Sequence, residues 1–191
     1  MLFGMKLIIT VVLLMMTRGF GSNGYAQDSV SFLIAKGKVN GLLSMGGNID
    51  SAIVILSKTY TVIKSGMPEG EGRNTRYPVY QIRDHKGILF TIERGWTVGT
   101  ETKIVRFTTS RREFATQKGI RPGMTYGDLK DTYKISNINY AGGQLIYVIV
   151  SGFGGTFSIE VPDNVTLETR NYAMKIPYEA VIKEIIVIYY E

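Results

Sequence analysis

The sequence predicts an α+β fold of two tandem related units, each a short helical segment packed on an antiparallel β-sheet. Three observations lead there. Most of the 191-residue chain beyond position 26 reads as strands broken by Gly, Asn and Asp. Two short helix starts, at Asn48 and Thr125, stand in matching surroundings. The last strands are apolar on both faces, a pattern that calls for cover on both sides.

The amino terminus reads as a leader. Residues 1–6 carry one charge, Lys6; residues 7–16 (LIITVVLLMM) are apolar; residues 17–26 are polar and end in Gly24-Tyr25-Ala26. Small residues at −3 and −1 of a cut before Gln27 complete the three-part pattern of a secretory signal peptide. The apolar run is too short to span a bilayer, which takes roughly 20 residues, and the alternative reading is an uncleaved anchor. The expected organisation is a signal peptide over 1–26, a first unit over 27–110 and a second over 111–191.

Loss of Lys6 and Arg18 with the leader lowers the net charge from +6 to +4. A mildly basic body favours anionic partners without naming one. The chain has no cysteine, which excludes disulfides, thiol nucleophiles and a lipid-modified cysteine. Export without cysteines suits a bacterial periplasm or secretion. It argues against nucleic acid as a partner, and no later segment is long and apolar enough to span a membrane.

Strands are expected over 77–82 and 88–93, joined by a turn at Arg83-Asp84-His85-Lys86-Gly87. In the second of these, Ile88, Phe90 and Ile92 alternate with Leu89, Thr91 and Glu93, the period of a half-buried strand. Further strands are expected over 102–108, 144–150, 156–161 and 183–190, whereas 164–176 fits no element. In 144–150 Leu145, Tyr147 and Ile149 oppose Ile146, Val148 and Val150; in 183–190 Ile185, Val187 and Tyr189 oppose Ile186, Ile188 and Tyr190. One side can take the helices. The other must take a second unit, the segment 30–39 or a partner.

The first helix starts at Asn48 and carries Ile49, Ala52, Ile53 and Leu56; the second starts at Thr125 and carries Leu129 and Tyr133. Gly41-Leu42-Leu43-Ser44-Met45-Gly46 precedes one and Gly119-Ile120-Arg121-Pro122-Gly123-Met124 the other, which suggests an internal duplication. Residues 100–105 would then answer to 180–186. The run Thr116, Gly119, Ile120, Gly123, Met124, Thr125, Leu129 and Tyr133 resembles a pattern found in exported bacterial domains of the β-lactamase-inhibitor-protein-like fold, shared with small outer-membrane assembly lipoproteins. The resemblance implies helical segments on antiparallel sheet, often in tandem. This chain departs from the lipoproteins in lacking a cysteine and from the inhibitor in lacking disulfides, so no particular partner carries over.

Reactive constellations are scarce. His85, the single histidine, falls in a turn, and no Gly-x-Ser-x-Gly supports it as a catalytic base. One histidine and no cysteine disfavour zinc, and no calcium-loop spacing occurs. Glu69 and Glu71 lie in a Gly-rich loop over 66–75. Gly152-Phe153-Gly154-Gly155 lacks the Lys-Ser/Thr of a phosphate loop and reads as a tight strand connection. Lys103, Arg106, Arg111, Arg112, Lys118 and Arg121 read first as a solvated loop with scattered charge; the functional alternative is a patch for an acidic partner. Trp96 and the 12 tyrosines raise a glycan- or peptide-binding alternative, against the ordinary use of aromatics in strands.

The expectation is therefore an exported, non-catalytic binding protein of the bacterial envelope, needing no cofactor or metal. Its partner is expected to be another envelope or extracellular protein, met through Arg106, Arg111, Arg112, Lys118, Arg121 and Trp96. The runner-up is a periplasmic lipid or glycan binder with a Tyr-rich surface, and an enzyme comes third.

Overall fold

The computed structural model describes residues 32–189 apart from 36, 40, 66–77, 96, 143 and 162–175. The expected leader, the loop with Glu69 and Glu71, Trp96, and the stretch 164–175 lie outside the described residues. In chain order the elements are β1 (Phe32–Ala35), β2 (Lys38–Val39), β3 (Leu43–Ser44), α1 (Ile49–Leu56), β4 (Thr61–Ser65), β5 (Val79–Asp84), β6 (Gly87–Arg94), β7 (Ile104–Thr109), β8 (Phe114–Thr116), α2 (Tyr126–Thr132), β9 (Ile135–Gly142), β10 (Leu145–Val150), β11 (Gly155–Glu160) and β12 (Val181–Ile188).

The architecture corrects the expected fold class. The protein is β-rich, with an eight-stranded sheet in the order β4-β5-β6-β7-β12-β11-β10-β9 and a four-stranded sheet in the order β3-β2-β1-β8. It is not two tandem helix-on-sheet units. A helix followed by a four-strand meander does occur twice. The last strands of the two meanders pair, however, from Thr109 opposite Ile185 to Arg106 opposite Ile188, and fuse both into one sheet. The helices have 8 and 7 residues. At 1.5 Å per residue each is only about 12 Å long, against a sheet about 34 Å wide at 4.8 Å per strand. They cannot cover it alone, and the small sheet fills the remainder.

The small sheet was not legible as such. β1 pairs antiparallel with β2 and parallel with β8, Phe32 lying opposite Phe114. Phe114 is fully buried and joins the layers: its ring lies 4.6 Å from Phe32, 5.9 Å from Phe90 and 5.6 Å from Phe107. A second aromatic group holds α2 to the sheet, with Tyr133 at 6.2 Å from both Phe153 and Phe157. Both groups belong to one continuous core that also takes in Ile49, Ile82, Leu129 and Ile185.

Both helices are fastened at their starts in the same way. The Gly46 N–H donates to the Ile104 carbonyl, the Ile104 N–H to Gly47, and the Ile49 N–H to Thr102, all within 2.9 Å. The Gly123 N–H donates to Ile182, the Ile182 N–H to Met124, and the Tyr126 N–H to Ala180, all within 2.8 Å. Each helix thus satisfies its first free N–H on the residues leading into the strand that ends its own meander. Asn48 Oδ1 accepts from the Ser51 N–H, and Thr125 forms a reciprocal capping box with Asp128. The recurring glycines have backbone reasons: Gly46 and Gly123 hold φ of +74° and +86°, where a side chain is strained.

The hairpin expected at Arg83 to Gly87 is the β5–β6 turn, with the Lys86 N–H on Asp84 Oδ1 at 2.8 Å. An irregularity next to Arg83 changes the alternation of β6: Leu89 is buried and Ile88 is 42% exposed.

Candidate functional site

α1, α2 and the small sheet pack on one face of the eight-stranded sheet, the face of Ile82, Phe90, Phe107, Phe157 and Val148. The opposite face follows from the register. Ile63 lies opposite Gln81, Gln81 opposite Thr91, Thr91 opposite Thr108 and Thr108 opposite Ile186. Ile186 is opposite Thr156, Thr156 opposite Ile149 and Ile149 opposite Asn137. Directly opposed residues share a face, so these eight side chains form one transverse row, one from each strand, without a charge.

Flanking rows carry the charges. On one side the Arg106 guanidinium meets Glu93 at 3.4 Å. On the other Glu184 lies opposite Ser158, and Ser158 opposite Tyr147. Burial pushes the Glu93 carboxyl above its ordinary range although Arg106 pulls it down, and burial alone raises Glu184. Ser158 is 1% exposed. Its Oγ, with Glu93 Oε2 and Arg106 Nε, is a buried polar atom without a hydrogen-bond partner among the described residues. Sequence reasoning found the two-sided pattern of 144–150 but missed Thr91, Thr108, Thr156 and Ser158. Their signal is small hydroxyl residues alternating with Phe and Ile.

The basic residues expected to form a patch are dispersed. Arg106 belongs to the sheet face just described. Arg111 is half-buried and forks onto two carboxylates, Asp84 at 3.2 Å and Glu113 at 2.7 Å. The exposed Arg112 lies over Gly123, its Nε 2.5 Å from where a Cβ would stand. The Lys118 ammonium donates to the Thr132 carbonyl at the end of α2 and sits 4.6 Å over the Tyr133 ring. Arg121 is half-buried, and Lys103 lies 5.4 Å over the Tyr189 ring.

His85 is exposed at the β5–β6 turn, and its neighbour Asp84 is engaged by Arg111. Clefts of about 490 and 410 Å³ flank Lys38 and Ser44 on the small sheet, one reaching Leu33 and Gln117 and the other Phe153 and Tyr189. Both are open to solvent. No helix among the described residues is long and apolar enough to cross a membrane.

With this geometry in view, one comparison bears on the fold. The chain is similar to the uncharacterized protein yfeY from Escherichia coli. The TM-score is 0.58 at 11% identity, over 82% of this chain and 99% of yfeY. That likeness is one of fold alone. No protein-family model and no curated protein matches the chain.

Proposed function

We propose that this is an exported, non-catalytic interaction protein of the bacterial cell envelope, which offers the outer face of its eight-stranded sheet to another folded envelope protein. The observation that carries the reading is the uncharged transverse row from Ile63 to Asn137. A face about 34 Å wide and about 17 Å along the strands is near 600 Å², most of the roughly 800 Å² per partner of a standard interface. Along that row Gln81, Thr91, Thr108 and Ile149 are half-buried and Ile63 and Asn137 exposed, while Thr156 and Ile186 at its centre are buried. The location rests on the leader pattern of residues 1–26 and agrees with the resemblance of 116–133 to exported domains.

The test is a quantitative capture from envelope extract with residues 27–191 as bait. One variant carries Gln81→Lys and Ile149→Lys on the outer face; a second carries Arg112→Glu and Lys118→Glu. The reading expects a discrete partner that the first variant loses and the second retains. A partner lost only with the second variant would transfer the site to the basic residues and end the sheet-face reading.

A further inference from the structure

The two edges of the large sheet are unlike. β4 carries an exposed lysine, Lys64, a common device against strand-to-strand association. β9 is the outer strand on the other side among the described residues. It runs Ile-Ser-Asn-Ile-Asn-Tyr-Ala-Gly, without charge or proline. Between two irregularities, Asn137, Ile138, Asn139 and Tyr140 pair in unbroken register with Ile149, Val148, Tyr147 and Ile146.

The edge carries its own temporary cover. The Ile138 N–H donates to Asn137 Oδ1 at 2.9 Å, so this donor is spent on a side chain and not on β10. The Asn137 amide in turn donates to Asn139 Oδ1 at 3.2 Å. Ile135 and Ile138 are only partly buried against the core.

We infer that β9 pairs with β9 of a second copy of this chain, antiparallel about a two-fold axis through Ile138, joining two eight-stranded sheets into one. The axis sets Ile138 opposite its own copy, where the two residues exchange backbone bonds. It sets Asn137 of each chain opposite Asn139 of the other. The amide that covers the Ile138 N–H in the free chain is released to bond its new neighbour. An isologous contact places every residue near its like or a symmetry mate. In a chain of net charge +6, or +4 from residue 27 onward, an uncharged strand of this length is the edge that can meet itself without repulsion. Covering the partly buried Ile138 adds apolar burial.

The inference is independent of what the outer face binds, and charge placement tests its register. Asn137 and Asn139 are exposed. The chain from residue 27 onward is studied by sedimentation equilibrium as wild type, as Asn137→Lys/Asn139→Lys, and as Asn137→Lys/Asn139→Glu. Thermal melts confirm that the variants fold. The two-fold sets lysine against lysine twice in the first variant and lysine against glutamate twice in the second. The wild type is expected to dimerise, the Lys/Lys variant to raise the dissociation constant by about tenfold, and the Lys/Glu variant to stay near wild type. Both variants lose the Asn137 amide, so that loss cannot separate them. A wild type that is monomeric from micromolar to millimolar concentration overturns the inference. So does a dimer in which the two variants behave alike.

Discussion

Replacing Arg111 by Met removes the cation that ties the β5–β6 turn to β8. Arg111 Nε and Nη2 donate to Glu113 at 3.2 and 2.7 Å, while Nη1 and Nη2 donate to Asp84 at 3.3 and 3.2 Å. Its loss leaves two carboxylates with side-chain exposures of 18% and 23% sharing Lys86, which is 60% exposed and 3.6 Å from Glu113. The Arg111 hydrogen bonds hold the Glu113 carboxyl at about 2, against an ordinary 4.5. Burial raises the Asp84 carboxyl, but the Arg111 and Lys86 hydrogen bonds and nearby positive charge lower it on balance. The Glu113 shift alone corresponds to about 3 kcal/mol, and solvent screening at this rim reduces it to about 2 kcal/mol. For a body of this size that is a fall of about 4–8 °C in Tm.

The pH dependence fixes the cause. A carboxyl with a lowered folded pKa contributes stability that is present above its unfolded value and lost as pH falls through its folded value. Urea unfolding should therefore show the full difference between wild type and Arg111→Met at pH 7. The difference should shrink below pH 4.5 and nearly vanish near pH 2. A difference equally large at pH 7 and pH 2 would refute the electrostatic account and leave only lost packing.

Two glycines of the first helix approach give a paired prediction. Gly46→Ala should cost about 2–3 kcal/mol in urea unfolding, because its φ is +74° and the new Cβ would stand 2.5 Å from the Tyr189 ring. Gly41→Ala, at φ +77° with nothing within 4 Å, should cost only about 1 kcal/mol. Equal losses would mean that Tyr189 does not rest on Gly46. Phe114→Ala should cost about 3–5 kcal/mol, since it empties the contact between the two sheets, and a loss below 1 kcal/mol would contradict their joint core.

Local structure was legible because its causes are local. Asn48 and Thr125 announced helix starts through side chains that reach only three residues on. Gly87, at φ +114°, marked the turn after His85. What escaped the sequence depends on distant partners. Arg111 looked like part of a wet basic run because Asp84, 27 residues earlier, cannot be matched to it without the fold. β1 and β8 gave short, unremarkable strings, and their parallel pairing joins segments about 80 residues apart, a separation local periodicity does not encode. The two-faced strands 144–150 and 183–190 lie in the large sheet, where α1, α2 and the small sheet pack on one face. The lateral pairing of β7 with β12 left no pattern of its own, and it is this pairing that turns two meanders into one sheet.

The most direct measurement of the binding role is site-specific photo-cross-linking in intact cells of the source organism. A photoreactive phenylalanine replaces Gln81, Thr108 or Ile149 on the outer sheet face, and Lys58 or Asp131 on the helical side. The account predicts one discrete heterologous adduct shared by the three sheet positions and absent from the two helical ones. Adducts confined to Lys58 and Asp131, or none at the sheet positions while the protein is folded and present, would contradict it.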